Sequence, residues 1–144
     1  RQESRFIADA RSSAGAMGLM QLMPATAKWV AGKLGLKGYR QANATDLDIN
    51  ISLGTYYLRH VLDTLHNHAV LASAGYNAGP GRARAWRSDG AMEAAIYTET
   101  IPFNETRDYV KKVMANAAWY ARMFGRGLVS LKERLGVIPP RSER

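Results

Sequence analysis

Apolar residues recur along most of this chain at the spacing of an α-helix, and no stretch shows the two-residue alternation of a half-buried strand. The clearest pattern begins at Asp48 and predicts a long, buried helix. Its large side chains fall on one stripe or directly beside it: Leu53, Tyr57, Leu58, Val61, Leu62 and Leu65.

Proline and glycine mark where other helices are predicted to begin and end. Pro24 suits the first position of a helix and Gly35 suits its stop, which predicts a helix over residues 24–34. A short helix over residues 69–76 is predicted to break at NAGPG, and Pro80 then starts another.

The longest helix is predicted last, with Asn104 as its cap, Glu105 in its first turn and Gly125 at its end. From Arg126 onward the pattern predicts one weak helical turn, followed by a frayed end over GVIPPRSER. The apolar face of the long helix is predicted from the following residues: Val110, Val113, Met114, Ala117, Ala121 and Phe124. Trp29 and Trp119 lie on predicted helical faces and are interpreted as core.

Three interruptions separate these helices, at residues 9–23, 75–81 and 97–103. The first contains SSAGAMGLMQ, whose small residues predict an irregular or β-like patch, and Pro102 is expected to fix the third as a loop. Loops held by rigid helices often carry binding and catalytic residues. No internal repeat or interdomain linker is visible, so the predicted fold class is mainly α.

Composition narrows the chemistry that this chain can perform. Cysteine is absent and only three His are present, so we expect no disulfide, no metal site and no cofactor. With 20 basic and 12 acidic residues the net charge is +8, which favours an anionic partner such as nucleic acid, an anionic membrane or an acidic polymer. No apolar run approaches the ~20 residues needed to span a bilayer.

Glu3 is the first candidate for chemistry. Phe6, Ile7 and a loop of small residues follow it, so we expect its carboxyl at the wall of a cleft, with a pKa raised by desolvation. A carboxyl that stays neutral near pH 7 can protonate a glycosidic oxygen. A glutamate near a chain end is more often solvated, however, and the pattern alone leaves both interpretations open. Because no initiator Met or signal segment precedes it, we expect a segment of a longer protein.

The stretch SSAGAMGLMQLMP has the composition of a sugar-binding wall. Ser12 supplies a hydroxyl, Gln21 supplies a donor and an acceptor in one side chain, and Met23 supplies adaptable apolar surface. Sugars present both apolar faces and polar edges, which this mixture suits. Met20 fits the core equally well.

The stretch AGYNAGPGRARAW places Tyr76 and Asn77 at a predicted helix end, where they could contact a substrate or orient an acid. A plain turn between helices would explain the glycines equally well. Trp86 is interpreted as a packing residue. Three arginines follow the NAGPG turn, and each is either an anion contact or part of a solvated helix face: Arg82, Arg84 and Arg87.

Four motifs, taken in order, resemble the catalytic domain of the bacterial soluble lytic transglycosylases. They are Glu3-Ser4, GLMQLMP at 18–24, AGYNAGPGR at 74–82 and ETIPFNETRDYV at 99–110. The resemblance covers about residues 1–124. It implies a lysozyme-like, mainly α catalytic domain over residues 1–125, truncated at its N-terminal side, and a C-terminal tail over 126–144.

The resemblance also implies roles for individual residues. Glu3 matches the catalytic acid, and the substrate-binding positions match Ser12, Gln21, Met23, Tyr76, Asn77 and Glu99, the last of these at the site that binds the amino group of a peptide stem. No metal ligand is implied. The motif AGYNAG departs from the more usual Ala-Ala-Tyr-Asn-Ala-Gly, and we expect Gly75 only to loosen a helix end.

The activity implied by the resemblance is cleavage of the β-1,4 bond between N-acetylmuramic acid and N-acetylglucosamine in peptidoglycan. No second carboxyl stands out beside Glu3: Asp9 lies in a loop, and Asp46 and Asp48 suit a helix start. The chemistry implied by the family needs only one carboxyl. The substrate N-acetyl group stabilises the oxocarbenium-like centre, and the muramic acid 6-hydroxyl closes a 1,6-anhydro ring.

Three other functions remain open at this point: a muramidase that admits water, a non-catalytic glycan-binding domain and a basic nucleic-acid binder. The last is disfavoured because no recognised nucleic-acid module matches, and Glu3 argues against the second. The expected partners are peptidoglycan glycan strands and peptide stems. The resemblance implies a periplasmic location, and we expect a monomer with no membrane span in this chain.

Overall fold

The structure, a computed structural model, describes residues 2–125 and 129–142. Within this part the chain forms seven α-helices and a two-stranded antiparallel sheet, so it is mainly α as predicted. The helices are α1 (Pro24–Lys33), α2 (Leu47–Thr64), α3 (Ala69–Ala78), α4 (Pro80–Ala85), α5 (Ala94–Thr100), α6 (Asn104–Met123) and α7 (Leu131–Leu135). The strands are β1 (Met92–Glu93) and β2 (Val137–Ile138), and a 3-10 turn covers Gln41–Asn43. The chain divides into two compact units, residues 1–60 and residues 61–144.

The first unit contains the β-like patch that the small residues predict. Met17 forms antiparallel bridges with both Arg11 and Leu22. The Met17 and Leu22 backbones exchange two hydrogen bonds of 2.9 and 3.0 Å, and both side chains are only 2% exposed. A loop of small residues is thereby folded back on a buried apolar pair.

Helix α1 begins at Pro24 and stops before Gly35, close to the predicted bounds. Its buried positions are Ala27, Val30 and Ala31, which share one face. Trp29 lies off that face and is 39% exposed, and its ring meets the His60 ring edge-to-face with 4.9 Å between the ring centroids. The interpretation of Trp29 as core is therefore wrong.

The stripe predicted for α2 is largely buried, since Leu53, Val61 and Leu65, the residue directly after the helix, are fully buried. Leu58 is an exception at 41% exposed, because it lies at the margin of the stripe. One polar residue shares the buried face: Asn50 is 1% exposed.

In the second unit, the predicted loop over 75–81 is wrong for most of its length. Helix α3 continues to Ala78, and only Gly79, at φ 95°, separates it from Pro80 at the start of α4. Gly75 also does more than loosen a helix end. A Cβ at this position would come within 2.6 Å of the buried Leu65 Cδ1, so the absent side chain lets α3 pack closely against Leu65.

The predicted loop over 97–103 is likewise largely helical, because α5 covers Ala94–Thr100. Tyr97 is fully buried on this helix and its hydroxyl donates to the Ala83 carbonyl at 2.9 Å. Burial raises the pKa of Tyr97 well above its ordinary value. Residues 101–103 alone connect α5 to α6.

Helix α6 starts at Asn104, but Asn104 does not cap it. Phe103 occupies the cap position, and the Asn104 side-chain oxygen accepts a hydrogen bond from the Arg107 guanidinium instead. The buried residues of α6 end at Met114, although the helix runs for 20 residues. Phe124 is 70% exposed and Trp119 is 62% exposed, so the apolar face is wrong over the last turns and Trp119 is not core. Ala117 is exposed as well.

The C-terminal segment contains the predicted helical turn as α7, which Ser130 caps by accepting from the Glu133 amide. The frayed end expected after it is wrong. Strand β2 pairs with β1, Ile138 is 1% exposed, and the Arg141 amide donates to Ser88. Residues 126–128 and 143–144 lie outside the described part, and the division between a domain at 1–125 and a tail at 126–144 stays a prediction.

Candidate active site

The predicted sugar-binding wall lies on the folded loop of the first unit. Gln21 adopts a positive φ of 47°, and its Nε2 donates to the carbonyls of Ala10 and Gly18 at 3.0 and 2.8 Å. The Ser12 hydroxyl accepts from the Ala16 amide at 2.9 Å, and Met23 is 44% exposed. The amide nitrogen of Gln21 thus shapes the loop, and its carbonyl oxygen is the atom through which Gln21 could accept from a ligand.

Asn50 anchors this loop through buried hydrogen bonds, and sequence reasoning missed it. Its Oδ1 accepts from the Met20 amide at 2.7 Å, and its Nδ2 donates to Met17 at 3.1 Å and to Ala44 at 2.7 Å. A fully buried amide that satisfies three backbone groups fixes their positions. The available signal was an asparagine three residues before Leu53 on the buried stripe of α2.

Gly18 is required by the same arrangement. Its φ is 78°, a conformation that L side chains rarely adopt, and a Cβ there would come within 2.2 Å of the Asn50 side-chain nitrogen. Glycine is therefore the residue that lets the loop approach Asn50. The close backbone approach that this glycine permits is to a side chain of the protein itself.

Glu3 lies in a turn rather than on a helix, and it is half-buried. Arg5 and Phe6 after it have φ values of 53° and 68°, an uncommon left-handed pair of non-glycine residues. Strained backbone of this kind concentrates at functional sites. Phe6 and Ile7 are 65% and 54% exposed, so neither side chain belongs to the core, and the desolvation of the Glu3 carboxyl stays a prediction.

In the second unit, Tyr76 and Asn77 lie in the last turn of α3 and both are half-buried. Asn77 Oδ1 accepts from the Thr106 hydroxyl at 2.7 Å, and Thr106 is itself 2% exposed. This hydrogen bond fixes the orientation of the Asn77 amide. The NH₂ group of Asn77 is then the part of the amide that could donate to a ligand.

Asn77 lines an open cavity of about 300 Å³, whose other walls come from the end of α3, the start of α4 and the start of α6. Arg82 lies over the Phe103 ring at 5.4 Å, and Trp86 meets the same ring edge-to-face at 5.3 Å. The predicted packing role of Trp86 agrees with this contact. Arg82, a candidate anion contact from the sequence, lines this cavity together with Phe103, which the sequence pattern did not single out.

Glu99 lies in the last turn of α5, not in a proline-fixed loop. Its carboxylate is 2.6 Å from the Lys111 ammonium, and the two side chains are 63% and 45% exposed. Both residues line an apolar cavity of about 250 Å³ between α5, α6 and α7. The carboxylate of Glu99 is thus accessible and already contacts a primary ammonium group.

The comparisons with known proteins agree on one family. Residues 1–97 match the transglycosylase SLT domain, and residues 100–128 match the soluble lytic transglycosylase helical domain. This chain belongs to the transglycosylase SLT domain family. The soluble lytic murein transglycosylase of Escherichia coli K12 is 43% identical to it over 128 residues, which is 87% of this chain and 20% of the relative.

Solved structures carry the same likeness. A lytic transglycosylase from Pseudomonas aeruginosa, solved as an inactive glutamate-to-glutamine mutant, matches with a TM-score of 0.86 and 42% identity over 96% of this chain and 23% of that one. A 70 kDa soluble lytic transglycosylase in complex with bulgecin A matches with a TM-score of 0.79 and 40% identity, over 87% of this chain and 21% of that one. The predicted lysozyme-like helical fold is confirmed.

This SLT-family chain spans about a fifth of the length of the relatives that it matches. In the described residues, no group of three His, Asp or Glu side chains is placed to hold a metal ion. No helix in this part combines the length and apolarity that crossing a membrane requires.

Proposed function

We propose that this chain is a peptidoglycan lytic transglycosylase domain with Glu3 as its catalytic acid and base. The single observation that carries the proposal is the family match over residues 1–97, which begins in the segment that holds the Glu3-Ser4 motif. The inactive glutamate-to-glutamine mutant among the solved relatives supports a glutamate as the essential group. The strained turn after Glu3 supports a functional role for this segment.

In the proposed reaction, Glu3 donates its proton to the oxygen of the β-1,4 bond while the bond to the muramic acid C1 breaks. The substrate N-acetyl carbonyl stabilises the positive charge that develops at C1. Glu3, now a carboxylate, takes the proton of the muramic acid 6-hydroxyl, whose oxygen bonds to C1 and closes the 1,6-anhydro ring. The acid is regenerated and no water is consumed.

The substrate-binding residues of this proposal are Ser12, Gln21 and Met23 in the first unit and Tyr76, Asn77 and Glu99 in the second. Gln21 and Asn77 are oriented before any ligand arrives, because each already makes one or two internal hydrogen bonds. Such preorganisation lowers the entropy cost of binding a flexible glycan. The complex of a relative with bulgecin A is consistent with a ligand-binding domain.

We propose peptidoglycan glycan strands and peptide stems as the partners, the periplasm as the location and a monomer as the oligomeric state. The name of the Escherichia coli relative, a murein transglycosylase, supports the first two. The net charge of +8 suits the carboxylates of muramic acid and of the stems.

Digestion of purified peptidoglycan, followed by mass spectrometry of the released fragments, tests the reaction itself. We expect fragments that end in 1,6-anhydromuramic acid, because the 6-hydroxyl is tethered at high effective concentration beside C1. Each such fragment is about 18 Da lighter than its hydrolysed counterpart. A majority of reducing ends would identify a muramidase, and a folded sample that releases nothing would identify a non-catalytic binding domain.

Glu99 provides a prediction about the peptide stem. Because its carboxylate already contacts the Lys111 ammonium at 2.6 Å, a stem amine could take the same position. We expect Glu99→Gln to slow digestion of peptide-bearing strands about fivefold more than digestion of bare glycan strands, as for one lost charge-assisted hydrogen bond. The measurement is the initial rate on the two substrates.

Glu93→Gln is the matched control for this prediction, because Glu93 is an exposed carboxylate that lies 3.9 Å from Lys132. It should change both rates equally and by little. If Glu99→Gln also lowers both rates equally, Glu99 acts only in the structure of the domain.

A further inference from the structure

A cavity of about 570 Å³ in the second unit is lined mostly by cationic and polar side chains, and nothing in the proposed reaction uses it. It lies between the end of α2 and helix α4. The lining residues are Thr64, His66, Gly81, Arg84, Ala85, Arg87 and Arg141. None of these residues carries a carboxylate, so the wall of the cavity has one sign of charge.

Arg87 forms the buried part of this wall. It is 5% exposed, its Nη1 lies 2.9 Å from His66 Nε2 and its Nη2 donates to the Arg141 carbonyl at 3.2 Å. A guanidinium can only donate, so His66 Nε2 is the acceptor and the ring proton is on Nδ1. His66 lies in the turn after α2 and has a left-handed backbone conformation, with φ 58°. A buried cation is therefore fixed in one orientation at the cavity.

Two further arginines complete the cluster. Arg84 is exposed, and its Nη2 donates to the Thr64 carbonyl at 3.0 Å. Arg141 pairs with Asp89 at 2.6 Å, and the Asp89 side chain is 86% exposed. This ion pair offsets the charge of Arg141 at the rim, whereas no carboxylate among the lining residues offsets the charges of Arg84 and Arg87. Like charges that line one cavity favour the binding of an anion there.

We propose that this cavity binds an oxyanion, a carboxylate or a phosphate group, through Arg84 and Arg87. The planar fork of a guanidinium matches the two oxygens of either group, which a lysine would not. The hydrogen bonds to His66 and to two backbone carbonyls hold both guanidinium groups before the anion arrives. The site does not depend on the proposed catalysis, because it is defined by binding alone.

The experiment is a titration of the whole chain followed by two-dimensional amide NMR at constant ionic strength. One arm uses inorganic phosphate, and the other uses N-acetylalanine with its primary amide as the uncharged match. We expect saturable shifts around the cavity with phosphate, with N-acetylalanine or with both, and none with the amide. Phosphate alone would identify a phosphate site, and N-acetylalanine alone would identify a carboxylate site.

Variants assign the binding to the cluster. Arg84→Gln should weaken the affinity about tenfold, because one charge-assisted hydrogen bond to the anion is lost at an exposed position. Arg122→Gln removes the same charge from the exposed last turn of α6 and should change the affinity less than twofold. Shifts that never saturate, or an equal loss in both variants, would overturn the proposal in favour of diffuse attraction to a basic protein.

Discussion

Glu3→Gln is expected to lower the rate of peptidoglycan digestion by at least a thousandfold. The amide keeps the shape of the side chain but cannot give a proton to the glycosidic oxygen or take one from the 6-hydroxyl. General acid-base catalysis contributes about 10²- to 10⁴-fold per transfer, and the proposed reaction uses Glu3 for both transfers. The measurement is the loss of turbidity of a cell-wall suspension, together with fragment mass spectrometry.

Two comparisons separate a chemical effect of this variant from a structural one. Glycan binding and the melting temperature of Glu3→Gln should remain close to those of the parent, because Glu3 lies in a surface turn and not in the core. Asp9→Asn, at an exposed position six residues further on, should keep most of the activity. A comparable loss in Asp9→Asn would restore a mechanism with two carboxyls and contradict the one proposed.

The elements that the sequence predicts well are those whose signals are local. Pro24 and Gly35 bracket α1 because the missing amide of proline and the left-handed conformation of glycine act within one turn. The stripe of α2 follows from its spacing alone. The bridges at Met17 also agree with a local signal, since two glycines nearby exclude a regular helix.

The loops are where local signals mislead. Gly79 and Pro80 together suggested a loop over 75–81, but one residue at φ 95° is enough to separate two helices. Pro102 suggested a loop from residue 97. A proline chiefly constrains the residue directly before it, however, and residues 97–100 remain helical. Glu99 was therefore expected on a loop and lies on a helix.

Contacts between distant residues leave no local trace. Strand β2 was expected to be frayed because GVIPPRSER contains no periodic pattern, and its partner β1 lies more than forty residues earlier. Burial of Ile138 supplies the driving force that the segment alone lacks. The same holds for the candidate site. Its motif residues are visible in the sequence, whereas the hydrogen bonds of Asn50 to the loop and of Thr106 to Asn77 appear only in three dimensions.

Asn50→Ala is expected to be the most damaging substitution outside the proposed catalytic residue. It leaves the Met20 amide and the carbonyls of Met17 and Ala44 without the partners that Asn50 provides in a buried place. Buried polar groups that lose a partner cost about 1–3 kcal/mol each, and because the Met17 carbonyl keeps its hydrogen bond from the Leu22 amide, the expected total is about 3 kcal/mol. For a chain of this size that corresponds to a fall in melting temperature of about 10 °C.

The digestion rate of Asn50→Ala should fall even at temperatures where the variant is folded, because Asn50 fixes the loop that carries Gln21 and Met23. Asn50→Asp keeps the acceptor for Met20 but loses both donated hydrogen bonds, so it should not recover the stability of the parent. Ser52→Ala is the control, since the exposed Ser52 hydroxyl donates to the Asp48 carbonyl of its own helix, and the substitution should cost less than about 0.5 kcal/mol. An Asn50→Ala variant as stable and active as Ser52→Ala would mean that the loop holds its shape through the Met17 bridges and the Gln21 hydrogen bonds alone.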